Sequence, residues 1–301
     1  MNRSVKTRKN NICTLNIAWN KIVQDLIDRG AYNKFIYSDQ SKIAVTFFGT
    51  VPGISWNGGR LNSRIGTMSV DELIKSVLWL NKRNIGFNFT FNTTLINDSC
   101  LKDHLPNKVL QACRSSLNGV VCASTLLGQY LKDKYPEYER IVSSILSPHH
   151  IKELEKLFEQ FDVIVLPENL NPNFYCLKRL HNLEKIEMIL NSSCIYKCPF
   201  RDKHAQLIHE DLLREMQGKK AKELPDPCVE MFKHKHDWVV DNEELTVDKQ
   251  FIFPEMLPAY IELGIRRFKL LDRTQPPELD ELLDYWVMLH KCLKQLRPIS
   301  S

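Results

Sequence analysis

Several features that mark other protein classes are missing from this 301-residue sequence. It has no stretch of about 18 consecutive apolar residues, which a membrane-spanning helix would need. Its 11 glycines and 14 prolines are too few for a fibrous repeat or a low-complexity chain. These absences indicate a globular protein, whose length suits either one large barrel or two ordinary domains.

A strong charge of one sign is also missing, since 41 basic residues face 36 acidic ones and the net charge is +5. This small excess does not by itself predict a nucleic-acid partner. Much of it lies in the first ten residues, MNRSVKTRKN, and the apolar run that follows is broken by Asn16 too early for a signal peptide. We therefore expect a cytoplasmic protein with no membrane partner, in a compartment where thiols stay reduced.

Short β-rich runs alternate with segments of helical periodicity along most of the chain. The β-rich runs cover 44–49, 86–91, 119–123, 140–145, 162–166, 185–190 and 267–271, and the helical patterns cover 70–81, 123–135, 149–161 and 173–181. Such alternation predicts a parallel sheet covered by helices. The segment VPGISWNGGR after the first run lacks the G-x-G-x-x-G turn of an open dinucleotide-binding sheet. We therefore predict an α/β fold of the (β/α) TIM-barrel type, which needs about 250 residues.

The predicted organisation has three parts: a basic arm and helix over 1–40, the barrel over 41–273, and a packing helix over 274–301. No strand pattern stands out between Cys198 and Phe251, which leaves open an incomplete or decorated barrel. Apolar residues recur at helical spacing near the C-terminus, among them Leu282, Trp286 and Leu289. This stripe predicts packing over the barrel, or a dimer surface if it is exposed.

Polar residues follow the predicted strands, at the end of a barrel where active sites lie. Asn88, in the run 86–91, and Asn92, directly after it, are four positions apart and share one strand face, opposite three phenylalanines, so we expect both to point into the lumen. Together with Asn191, these amides could orient a polar substrate. Glu168 could act as a catalytic acid or base, or could merely cap the next turn.

Three basic residues are candidates for substrate binding. Arg60 follows two glycines and Arg273 ends the last run, so both could clamp a phosphate or carboxylate, with surface salt bridges as the alternative. Lys269 alternates with Phe268 and Leu270 and is therefore expected to line the lumen.

Nine cysteines stand out in this otherwise ordinary composition. Most are scattered singly, as expected of buried small hydrophobic residues. Cys194 and Cys198 differ, because they follow a predicted strand in NSSCIYKCPFRDKH and are separated by three residues. This spacing lets both sulfurs approach one metal ion or cluster, with His204 and Cys228 as further ligands. Two structural thiols that cap a loop are the alternative.

Familiar catalytic and metal-binding motifs fit the chain poorly. A radical-SAM triplet would need a third cysteine three residues after Cys198, where Arg201 stands. A zinc finger usually adds a second tight ligand pair, and the HKH at His234 and His236 is more typical of a solvated face. The sequence has no Ser-His-Asp order and no H-E-x-x-H motif that would predict a hydrolase.

Three segments resemble the collagenase-like family of peptidases of unknown type. They are GFNFTFNTTLINDSCL, NSSCIYKCPFRDKH and QFIFPEMLPAYIELGIRRFKLLDR, which occur in the family's order within about residues 44–273. The resemblance implies a barrel in which Cys194, Cys198 and Cys228 surround a metal centre. In related members four cysteines hold a four-iron, four-sulfur cluster, and some hydroxylate an aromatic ring or a tRNA uridine without oxygen. The fourth ligand is not identified here, and the candidates are Cys13, Cys100, Cys176 and His204.

Three functions remain open from the sequence. The first is an iron–sulfur- or metal-dependent modifying enzyme, performing hydroxylation or related redox chemistry at the C-terminal face of the barrel. Its cofactor would be a four-iron cluster, with zinc or none as alternatives, and its substrate a small molecule, a peptide or an RNA. The second is a peptidase-like hydrolase, and the third is a non-catalytic binding barrel with structural cysteines. A homodimer or a related partner subunit is compatible with each.

Overall fold

The structure is a computed structural model. It describes residues 13–19, 21–36, 42–58, 67–148, 151–192, 196, 198, 201–219, 239–240, 243–244, 250–271 and 279–295.

Eight parallel strands form the centre of the molecule. They are β1 Cys13–Ala18, β2 Ile43–Gly49, β3 Gly86–Phe91, β4 Gly119–Cys122, β5 Glu139–Val142, β6 Val163–Val165, β7 Ile186–Ile189 and β10 Arg267–Leu270. They close into a barrel in the order β1-β10-β7-β6-β5-β4-β3-β2. A separate antiparallel pair joins β8 Val239–Val240 to β9 Glu243–Glu244. The prediction of a TIM-type barrel is therefore confirmed.

The eighth strand that completes the barrel is β1, which pairs with β2 on one side and β10 on the other. It lies inside the range 1–40 that the sequence assigned to a basic arm and helix, so the barrel begins at Cys13 rather than at residue 41. Thr14 and Asn16 interrupt the apolar pattern of β1 because they face the lumen, while Leu15 and Ile17 face the helices and are fully buried.

Helices follow most of the strands and cover the barrel. They are α1 Lys21–Asp28, α2 Asn33–Ile36, α3 Val70–Asn81, α4 His104–Ala112, α5 Thr125–Lys134, α6 Ile151–Leu157, α7 Phe174–Leu177, α8 Arg201–Met216, α9 Leu257–Leu263 and α10 Leu279–Gln295. No helix in these described ranges is long and apolar enough to cross a membrane.

The main hydrophobic core lies between the strands and the helices. Phe87, Phe89 and Phe91 alternate along β3 and are fully buried in this layer, as their period of two predicts. In α3 the apolar face is buried, and the helix begins at Ser69, whose side chain forms a capping box with Glu72.

The C-terminal helix α10 packs on the barrel. The ring of Trp286 meets that of Phe35 edge-on at 5.2 Å, and the Tyr285 hydroxyl donates to the carbonyl of Ile252 at 2.8 Å. Leu282 and Leu289 are fully buried. The apolar stripe is therefore used within the chain, in agreement with the packing interpretation rather than with a dimer surface.

Candidate functional site

The lumen of the barrel contains a buried chain of polar side chains. The Asn16 amide donates to Oε1 of Glu187 at 3.1 Å, and the Thr46 hydroxyl donates to Oδ1 of Asn16 at 3.0 Å. All three residues are buried. Because a buried carboxylate is costly unless it is paired, this chain and the nearby Lys269 explain how Glu187 is tolerated.

Lys269 lies in the lumen, as its alternation with Phe268 predicts. Its ammonium is 3.9 Å from Oε2 of Glu187, which is an ion pair but too long for a hydrogen bond. The same ammonium lies 4.0 Å from the ring centroid of Phe48, in cation–π geometry. Lys269 therefore places a positive charge inside the barrel, and its role in substrate binding stays a prediction.

A second ion pair lies at the amino-terminal end of the lumen. Arg267 binds Glu139 through both guanidinium nitrogens, at 2.6 and 3.0 Å, which is the bidentate geometry typical of strong arginine–carboxylate contacts. The charged groups at this end hold β10 and β5 together across the barrel. The carboxyl end is accordingly where a ligand is expected, as in barrel enzymes generally.

Asn88 faces the lumen beside β4. It is almost fully buried, and a Cβ added at Gly119 would lie only 2.6 Å from its Oδ1, so the glycine makes room for the amide.

Asn92 lies just after β3 and is half-buried, and its Oδ1 has no hydrogen-bond partner. A Cβ at Gly58 would lie 2.5 Å from the Asn92 carbonyl, so a glycine is needed for this close approach of two backbone segments.

Glu168, which follows β6, forms a largely buried ion pair with Arg201, the first residue of α8. Arg201 Nη2 lies 2.9 Å from Oε2 and Nε lies 3.4 Å from Oε1. Nη2 also donates to the carbonyl of Ser144, in the loop after β5, at 3.0 Å. These contacts attach the start of α8 to the carboxyl ends of β5 and β6.

A second contact attaches α8 to the opposite part of the same rim. Nδ1 of His209 hydrogen-bonds Oγ1 of Thr94, in the loop after β3, at 2.8 Å. His209 is 1% exposed, and burial lowers the pKa of its imidazole to about 4, so the ring is neutral at neutral pH. Arg201 and His209 are eight positions apart, which corresponds to about 12 Å along the helix. The helix α8 therefore crosses over the carboxyl-end mouth, from the β6 side to the β3 side.

Asn191 lies at the end of β7 and is engaged through both atoms of its amide. Its Nδ2 donates to the carbonyl of Leu271 at 3.0 Å, and the Leu271 N–H donates to its Oδ1 at 2.7 Å. The side chain thus continues the pairing of β7 with β10 beyond the last ladder bond. This contact holds the strand ends together, and a catalytic role for Asn191 stays a prediction.

The described cysteines divide into buried and half-buried thiols, none of them in a disulfide. Burial raises the pKa of Cys13, Cys113 and Cys122 to about 12, as expected of thiols that act as small hydrophobic residues. Cys13 also begins β1, at the opposite end of the barrel from the segment after β7, so it is not a ligand beside Cys198.

Cys198 is half-buried and its carbonyl accepts from the Arg201 N–H at 3.3 Å, so it lies at the entrance to α8. His204 lies on α8 itself. Among the described residues, no three side chains of His, Cys, Asp or Glu come together as a metal site. Cys194, Cys228, Arg60 and Arg273 lie outside the described residues. The described part of the chain therefore supplies one thiol in the expected place and not a complete ligand set.

Two residues that position the site could not be identified as such from the sequence. In the sequence, Arg201 is only the residue that stands in place of a third cysteine, and His209 is only one of the histidines that follow Cys198. The one feature that could have indicated their role is their position, since both residues follow the cysteine pair and lie on one helix.

Comparisons with known proteins show the fold. No family model matches the chain, and no curated protein matches it. The solved structure of the U32 peptidase Mk0906 is similar with a TM-score of 0.54 and 16% identity, over 92% of this chain and 97% of that one. At this identity the likeness concerns the barrel architecture, and it agrees with the resemblance to the collagenase-like peptidases.

Proposed function

We propose that the protein is an enzyme that modifies a polar substrate at the carboxyl-end mouth of the barrel, with a metal or iron–sulfur group held by the segment of Cys194 and Cys198. One observation carries the proposal: the residue three positions after Cys198 is Arg201, which binds the buried carboxylate of Glu168 at this mouth. Cys198 is thereby close to a residue that is anchored at the end of the barrel where active sites lie.

The described residues have separable roles in this proposal. Glu168 and Arg201 fix the start of α8, and Lys269 with Asn88 supplies a charge and an amide in the lumen below. A cluster held by three thiolates would add one iron open to a substrate oxygen. Cys198 fits such a ligand in kind, since it is a half-buried thiol outside any disulfide.

The direct test compares two alanine variants purified without oxygen. Cys198→Ala is expected to lose bound iron and the broad absorbance at about 400 nm that such clusters give. Cys292→Ala is the matched control, because Cys292 is buried in α10 and far along the chain from the cysteine pair. Equal metal content in the two variants would contradict the proposal, and a metal-free wild-type protein that folds normally would favour a binding barrel with structural cysteines.

A peptidase-like hydrolase is the second candidate, supported by the fold likeness to the U32 peptidase. In that case Glu168, whose negative charge Arg201 stabilises, would act as a base towards water. Stoichiometric zinc, together with release of amino groups from a mixture of peptides, would favour this candidate over the redox enzyme.

A further inference from the structure

One oxygen of a buried carboxylate in the lumen has no hydrogen-bond partner in the part of the chain that the structure describes. Glu187 is 1% exposed, and its Oε1 accepts from the Asn16 amide at 3.1 Å, whereas its Oε2 accepts from no described donor. The ammonium of Lys269 is 3.9 Å from Oε2, beyond the range of a direct hydrogen bond. Because native proteins pair the great majority of buried polar atoms, this oxygen points to a group that binds between the two side chains.

The distance between Lys269 and Glu187 fits one bridging oxygen atom. An oxygen placed about 2.8 Å from both Nζ and Oε2 makes an angle of about 90° with them, which lets a hydroxyl accept from the ammonium and donate to the carboxylate. A carboxylate or phosphate ligand has no hydrogen for Oε2, and an ammonium ligand has no acceptor for Nζ. The pair therefore favours a hydroxyl over an ion of either sign.

The wall beside the pair favours a hydroxyl that is attached to a hydrocarbon group. Ile189 is the partner of Lys269 in the ladder between β7 and β10. It belongs to a buried apolar cluster whose members are Val121, Ile141, Val163, Val165 and Ile189. Leu271, which is half-buried and packs on this cluster, lies two residues after Lys269, or about 7 Å nearer to the carboxyl-end mouth. A hydrocarbon group that reaches from the mouth to the pair would bury apolar surface against this wall.

Phe48 stabilises the charge that the hydroxyl would meet. Its ring centroid is 4.0 Å from Nζ of Lys269, and Glu187 is on the other strand beside the same ammonium. The aromatic ring and the carboxylate both favour a positive charge on Lys269. Lys269 therefore acts here as a hydrogen-bond donor. A water molecule makes the same two hydrogen bonds, and a ligand hydroxyl that displaces it keeps both.

We propose that the lumen binds an aliphatic alcohol, whose hydroxyl accepts from Nζ of Lys269 and donates to Oε2 of Glu187 while its hydrocarbon part lies against Ile189 and Leu271. An alcohol is thereby named as the polar substrate of the proposed enzyme. Its chemical conversion rests on the proposed function, whereas its binding needs no metal.

The test compares four probes that share one hydrocarbon ring and differ in the polar group. They are cyclohexanol, cyclohexylammonium, cyclohexanecarboxylate and cyclohexanecarboxamide, each titrated into the purified protein and followed by nuclear magnetic resonance. Wild-type protein should bind cyclohexanol at least about tenfold more tightly than the other three, a difference of about 1.4 kcal/mol. Such a difference is expected when a hydrogen bond to a charged group is lost.

Two variants should change this preference in opposite directions. In Glu187→Gln no negative charge opposes Lys269, so cyclohexanecarboxylate should become the tightest probe. In Lys269→Met the carboxylate of Glu187 lacks its counter-charge, so cyclohexylammonium should become the tightest. Lys108→Met is the matched control, because Lys108 is an exposed lysine that pairs with Asp71, and it should keep the wild-type preference.

Four results would overturn the proposal: no saturable binding of cyclohexanol, equal binding of the four probes, tighter binding of the carboxamide, or an unchanged preference in either folded variant. If Lys269→Met does not fold, Glu187→Gln decides the question alone, because the amide has nearly the shape of the carboxylate that it replaces.

Metal content of the same samples separates this inference from the proposed function. A metal-free protein that still prefers cyclohexanol would contradict the proposed redox enzyme alone. A metal-loaded protein that does not bind cyclohexanol would contradict the alcohol site alone.

Discussion

The ion pair between Glu168 and Arg201 should hold α8 over the mouth, and Glu168→Gln tests this. The Glu168 side chain is 5% exposed and that of Arg201 is 17% exposed, so removing the carboxylate leaves a mostly buried guanidinium without its counter-charge. Breaking a fully buried pair costs about 3–5 kcal/mol. Because Arg201 is at a helix end and can turn towards water, we expect about 2 kcal/mol.

Hydrogen–deuterium exchange of α8 is the appropriate assay, since the loss should appear first as local opening of this helix. A cost of 2 kcal/mol corresponds to amide exchange about 30-fold faster over residues 201–212. In Glu168→Gln/Arg201→Met no unpaired charge remains, so the double variant should be less destabilised than the sum of the two single ones. Unchanged protection of α8 in Glu168→Gln, or strictly additive effects, would refute the reasoning.

Three further predictions concern the same end of the barrel and its lumen, each measured by urea unfolding. Burial lowers the pKa of His209 from 6.5 to about 4, so the unfolded chain takes up the proton at a higher pH than the folded protein does. The free energy of unfolding should therefore fall by about 3 kcal/mol as the pH drops from 6.5 to 4. His209→Gln should make this free energy less dependent on pH, and an equally steep dependence in the variant would contradict the assignment. Gly58→Ala should cost about 2 kcal/mol, because the new Cβ would clash with the Asn92 backbone, and wild-type stability would exclude that contact. Glu187→Leu should cost about 3 kcal/mol, since it removes the carboxylate that faces Lys269, and a neutral effect would show that the lumen ion pair does not stabilise the fold.

The barrel could be predicted because strand and helix periodicities alternate clearly over most of the chain. The range 70–81 read as a helix is α3 with the same bounds, and 86–91 is β3. β1 could not be recognised in the same way, because its lumen-facing Thr14 and Asn16 break the apolar run. The polarity of Asn16 is explained only by its contact with Glu187, which is 171 residues away in the sequence.

The site was predictable only in part. Glu168 was found because it follows a strand, and Lys269 because it alternates with apolar neighbours. The contacts within the site could not be predicted from the sequence, since Arg201 lies 33 residues from its partner Glu168 and His209 lies 115 residues from its partner Thr94. Both contacts depend on how α8 crosses the mouth, and no local pattern in the sequence encodes that path.

Electron paramagnetic resonance of the wild-type protein, purified without oxygen and reduced with dithionite, tests the central claim most directly. The account predicts the signal of a reduced iron–sulfur cluster, with matching amounts of iron and acid-labile sulfide, that disappears in Cys198→Ala. A folded wild-type protein with no such signal and no bound iron would contradict it.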